Sequence, residues 1–145
     1  MTKPQSLPVV VIDDDAEHLA YVTTLLTRTG YSCLGFSSAR DALAYLDKNR
    51  TGLVITDIFM PEMDGFELLR ALHAKYPDVA VVTLSGEGRM TKDFYLECAR
   101  HLGAVAALRK PFEPHALSQI VEQHMARNGD KTSDPKAGKA AAIEH

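Results

Sequence analysis

Three carboxylates, one ammonium and one hydroxyl stand where short apolar runs of this sequence end. Asp13 and Asp14 follow VVVI, Asp57 follows LVIT, Ser85 follows VAVVTL, and Lys110 comes one residue after AVAAL. Carboxylates brought close together repel and raise one another's pKa values unless a cation neutralises them. A hard divalent ion with oxygen ligands answers that repulsion. Magnesium fits best, because it takes few protein ligands and keeps waters that a phosphate can replace. The loop after Asp57 offers one main-chain carbonyl to such an ion, that of Phe59. The plainer reading is that Asp13, Asp14 and Asp15 only cap the helix that follows. Lys110 supplies a compact point charge suited to a phosphoryl oxygen. Ser85 lies next to Gly86, so its hydroxyl meets no bulky neighbour. Each group alone says little; together they describe a ring that binds a phosphoryl group.

Such a ring needs strands to carry it. The runs at 8–12, 53–57, 79–84 and 104–108 are apolar nearly throughout, and 31–36 is a less pure fifth. Continuous rather than alternating apolar runs belong to strands buried on both faces, hence to a parallel sheet. Helical spacing appears between them. Leu19, Val22, Leu25 and Leu26 form one stripe, stopped by Gly30 and capped by Asp15. Ser38 opens a capping box with Asp41 before Ala42, Leu43 and Leu46. Phe66, Leu69 and Leu72 form a third stripe that ends before Pro77. A fourth helix is expected over about 92–102. A fifth begins at Pro114, with Leu117, Ile120, Val121 and Met125 facing inward. Five strands therefore alternate with five helices in an α/β doubly wound fold. If Asp13 and Asp14 act with Asp57, strands 1 and 3 are neighbours, as in the flavodoxin-like order 2-1-3-4-5.

Bulk composition narrows the function classes. A chain of 145 residues holds one domain with a real core. With 46% hydrophobic and 24% charged residues it reads as an ordinary soluble globular protein. A net charge of -3 without a Lys/Arg block argues against nucleic-acid binding. The apolar runs fall well short of the roughly 18 residues a membrane span needs, and MTKPQSLP does not resemble a secretory signal. Cys33 and Cys98 read as two buried thiols, and the expected compartment is the cytoplasm. The six histidines, His18 among them, are scattered without ligand spacing and are expected at the surface.

The segments VVVIDDDAEHL, LVITDIFMPEMDGFELL, VVTLSGEG and LRKPF, in this order and spacing, resemble a response-regulator receiver domain of two-component signalling. The resemblance covers about residues 7–126 and leaves 127–145 as a flexible polar tail. It implies that Asp57 is the phosphoacceptor and that Asp13 and Asp14 form the acid pair of a magnesium site. Asp14 would coordinate directly, Asp13 mainly through water. Ser85 would be the switch hydroxyl and Lys110 the lysine on the phosphoryl group. The partner implied is a histidine kinase or histidine phosphotransfer protein, whose phosphohistidine is attacked in line by Asp57. No general base is needed, since the attacking group is a carboxylate. The protein is not itself an enzyme beyond its own phosphorylation and dephosphorylation.

In the family, the signal couples to an aromatic three residues before the lysine. Here that position is Ala107, so the expected route passes through the 86–91 loop backbone, or through Phe94 or Tyr95. By the same resemblance, Phe59 and Glu87 fall at positions expected to tune access of the hydrolytic water. A ring at 59 predicts an acyl phosphate longer-lived than in fast chemotaxis-type receivers. Without a second domain, the output is expected to be that of a stand-alone regulator or phosphorelay intermediate, monomeric or weakly dimeric, acting on a downstream protein. The alternatives are a receiver excised from a larger hybrid kinase or transcriptional regulator, or a docking-only receiver that does not switch. A flavodoxin-like cofactor binder is disfavoured, since three acids would repel a flavin phosphate.

Overall fold

The structure is a computed structural model and describes residues 7–58, 60, 65–85, 101 and 103–129. Its elements in chain order are β1 (Val9–Ile12), α1 (Ala16–Arg28), β2 (Cys33–Phe36), α2 (Ala39–Lys48), β3 (Leu53–Asp57), α3 (Gly65–Lys75), β4 (Ala80–Ser85), β5 (Ala106–Arg109) and α4 (Pro114–Gly129). The five strands form one parallel sheet in the order β2-β1-β3-β4-β5. The chemistry-based adjacency of strands 1 and 3 is thus observed. The helix count is corrected: the described residues contain four helices, not five. The helix expected over 92–102 lies outside the described residues apart from His101, which is helical. α4 continues to Gly129, three residues into the stretch expected as tail.

Strand side chains alternate between the two faces, so each strand serves two cores. Val10, Ile12 and Val54 join Ala42 and Leu46 of α2 and Leu68, Leu69 and Leu72 of α3. Val9, Val11, Leu53 and Ile55 join Val22 and Leu26 of α1 and Leu117, Ile120 and Val121 of α4. β1 and β3 are completely buried, which explains their unbroken apolar sequence. β2 is an edge strand and half-exposed, with Leu34 facing solvent, which explains its mixed composition.

Local signals set where the helices begin. The Asp15 carboxylate accepts from the N–H groups of Glu17 and His18 at 3.0 and 3.3 Å and starts α1. Ser38 Oγ accepts from the Asp41 N–H at 3.3 Å and starts α2. Past α1, Gly30 takes φ +97, a left-handed conformation that glycine adopts without steric cost. β5 begins two residues later than expected. Gly103, also at φ +97, makes the turn into it, and the register with β4 starts only at Ala106, opposite Val82. Among the described residues, no helix is long and apolar enough to cross a membrane.

Candidate functional site

The carboxyl ends of β1, β3, β4 and β5 converge because the sheet is parallel and its register is fixed. Ile12 lies opposite Thr56, Asp57 opposite Leu84, and Ser85 opposite Arg109. One step beyond those rows stand Asp13 and Lys110. The backbone N–H of Lys110 donates to the Ser85 carbonyl at 2.7 Å, which ties the two strand ends together. The Lys110–Pro111 peptide bond is cis. Asp13, Asp57 and Ser85 are all buried, at 0%, 5% and 2% relative exposure, so the functional groups sit inside the molecule's edge.

Asp13, Asp14 and Asp57 each offer a carboxylate oxygen, and these atoms lie within 4.8 Å of one another. Asp14 is exposed while its two partners are buried, so the cluster opens to solvent on one side. Among the described residues, three carboxylates face the ammonium of Lys110, whose Nζ is 3.3 Å from Asp13 Oδ2 and 3.6 Å from Asp57 Oδ2. The excess of negative charge and the all-oxygen donor set fit a hard divalent cation. Their proximity answers the capping alternative: Asp15 alone caps α1, while Asp13 and Asp14 belong to the cluster.

Asp13 is held by three donors. Its Oδ1 accepts from the Asp15 N–H at 2.9 Å. Its Oδ2 accepts from His18 Nδ1 at 2.6 Å and from Lys110 Nζ at 3.3 Å. Burial by itself pushes the carboxyl upward. The hydrogen bonds from His18 and the Asp15 N–H, with the charge on Lys110, outweigh it and hold the group below its ordinary range.

Sequence reasoning missed His18, which it placed at the surface. The side chain is 18% exposed and packs edge-on to Phe112 with centroids 5.9 Å apart, and against Tyr21 at 6.0 Å. Its spacing from Asp13 matches no ligand motif. The readable signal was Asp15: a cap there turns the first helical turn back over the strand end and delivers the residue three positions on to Asp13. His124 is also buried, on α4, against the same expectation. Ala107 is fully buried in the core shared with α2 and α3. Phe59, Glu87, Phe94 and Tyr95 lie outside the described residues, as does the expected carbonyl ligand.

Comparison with known proteins gives a consistent picture. The family described as "Response regulator receiver domain" matches residues 9–122. "Transcriptional regulatory protein FixJ" of Azorhizobium caulinodans is 35% identical over 131 residues, covering 88% of this chain and 59% of that protein. "Regulatory protein VanRc" of Enterococcus gallinarum is 32% identical over 120 residues, covering 82% of this chain and 50% of that protein. The chain thus matches only half to three-fifths of the length of these two relatives. A crystal structure of a response regulator receiver domain protein from Clostridium thermocellum superposes with a TM-score of 0.75 at 30% identity, covering 85% of this chain and 97% of the other.

Proposed function

The chain belongs to the response-regulator receiver family of two-component signalling, and from that premise we propose that Asp57 accepts a phosphoryl group from a partner's phosphohistidine. The observation that carries this reading is the convergence of Asp13, Asp14 and Asp57 within 4.8 Å, with Lys110 Nζ 3.6 Å from Asp57. The cation would be magnesium, which Asp14 and Asp57 would hold directly and Asp13 through water, with the main-chain carbonyl of Phe59 as a further oxygen donor. When bound, it neutralises charge on the phosphoryl oxygens.

The chain's own groups do the rest. A carboxylate oxygen of Asp57 forms a bond to phosphorus as the bond from phosphorus to the partner's imidazole nitrogen breaks, leaving an acyl phosphate. Lys110 moves its ammonium onto a phosphoryl oxygen and offsets charge in the transition state. Ser85, on the neighbouring strand end, donates its hydroxyl to the product and marks the phosphorylated state. Water later cleaves the acyl phosphate, at a rate set by Phe59 and Glu87. Residues 7–126 form the receiver unit. It acts through protein contacts, as a stand-alone regulator or relay intermediate with a histidine kinase or phosphotransfer partner. The greater length of the matched relatives favours a second reading, in which this receiver serves a larger regulator.

Intact mass after exposure to acetyl phosphate tests the assignment. One phosphoryl group should add in the presence of magnesium, fail to add with chelator, and be absent in Asp57→Asn. Labelling that persists in Asp57→Asn would place the acceptor elsewhere.

A further inference from the structure

We propose that His18 is a positioning residue for Lys110, acting through the carboxylate they share. The inference rests on the reading of Asp57 as phosphoacceptor. Both side chains donate to the same oxygen, Asp13 Oδ2, from His18 Nδ1 at 2.6 Å and Lys110 Nζ at 3.3 Å. They come from different elements, His18 from the first turn of α1 and Lys110 from just beyond the end of β5. Asp13 is fully buried, so a donor taken from it is not replaced freely by water.

Phosphoryl transfer asks Lys110 to leave this arrangement. Its ammonium rests between Asp13 and Asp57 and must turn to an oxygen on the incoming phosphorus. That departure strips one charge-assisted donor from the buried Asp13. His18 makes the shorter of the two contacts and does not move with the phosphoryl group, so Asp13 keeps a donor throughout. Without it, Lys110 would be the one side-chain donor to Oδ2 among the described residues and would be held back by the carboxylate. His18 therefore sets how readily Lys110 is released. The ring is itself fixed, edge-on to Phe112 and beside Tyr21, so its donor is aimed before any phosphoryl group arrives. Phe112 lies two residues after Lys110, which couples the aim of the imidazole to the segment that carries the lysine.

Two substitutions separate the donor from the packing. His18→Phe keeps an aromatic ring against Tyr21 and Phe112 but removes the N–H. His18→Asn discards the ring but places an amide nitrogen near the position of Nδ1. The measurement is the rate of phosphorylation by acetyl phosphate as a function of magnesium, giving a maximal rate and a half-saturating concentration, with thermal melts confirming folding. His18→Phe should lower the maximal rate by about three- to tenfold, with the half-saturating magnesium unchanged within about twofold. His18→Asn should recover a maximal rate within about twofold of the unsubstituted protein. A purely structural role for the ring predicts the reverse order, with Asn slower than Phe. That order, a Phe variant at full rate, or a loss confined to magnesium half-saturation would overturn the proposal. Asp57→Asn runs beside them: continued labelling there would indict the acceptor assignment rather than the role of His18.

Discussion

The two ends of the sheet carry nearly the same chemical parts and use them differently. At the carboxyl ends of the strands, Asp13 is bound by a lysine and by an aromatic ring's N–H. At the opposite end, where α2 and α3 terminate, Asp47 is bound by Lys75 at 3.0 Å and by the hydroxyl of Tyr76. Lys75 also stands over the Tyr76 ring, 5.7 Å from its centroid. The difference is solvent. The Asp13 side chain is fully buried, whereas those of Asp47 and Lys75 are 49% and 51% exposed. Water screens the second group, so its charges gain little from one another. It clasps two helices beside an open cavity of about 640 Å³. Buried carboxylates crowded round the Lys110 ammonium leave negative charge in excess instead, an arrangement suited to a divalent cation.

Exchanging the two lysines for alanine gives the widest separation between these ends. Lys110→Ala should slow phosphorylation about 10²- to 10³-fold, the usual cost of deleting one oxyanion-stabilising donor. Lys75→Ala should leave the rate unchanged. Equal losses in both would show that the lysines act through stability alone.

A smaller contrast lies in relief of repulsion. Asp14→Asn should raise the melting midpoint of metal-free protein by a few degrees, because one of three crowded charges disappears. Added magnesium should raise the midpoint of the unsubstituted protein further but not that of Asp14→Asn. Asp47→Asn has no repulsion to relieve, so a metal-free gain there as large as that of Asp14→Asn would dissolve the contrast.

The smallest effect is the pH dependence of the clasp. Tyr76 and then Lys75 hold Asp47 below its ordinary 3.8, so its contribution is present above that value and lost as pH falls through the lowered one. Asp47 raises Lys75 above 10.5, while burial and then Asp47 raise Tyr76 above 10.0. Their contributions are complete below those values and vanish as pH rises. The difference in urea midpoint between the unsubstituted protein and Asp47→Asn should therefore be small, flat near neutrality, and shrink at both extremes. A difference constant from pH ~3 to ~11 would make the clasp non-ionic.

What could be read from the sequence was whatever depends on local order. LVITD declared a buried strand with an acid at its mouth because both faces of β3 are covered. Asp15 and Ser38 declared helix starts because capping is decided within three residues. Lys110 and Ser85 could be assembled with Asp57 only by assuming the sheet, and the register at Ser85 opposite Arg109 shows how narrow that alignment is. His18 was only half legible, for a tertiary reason: the Asp15 cap set its place in the first turn, but its partner is set by how α1 lies on β1. The clasp at the base was hidden likewise, since Asp47 and Tyr76 are brought together by two helices that end side by side.

Ala107 carries a consequence for how this molecule moves. The position is fully buried beside Thr83 of the adjacent strand. An alanine side chain is a single methyl, its Cβ, and turning it about the Cα–Cβ bond leaves its shape unchanged. Nothing at this place can be stored as a choice between two orientations. In mechanical language the fifth strand is, at this position, a strut without a lever.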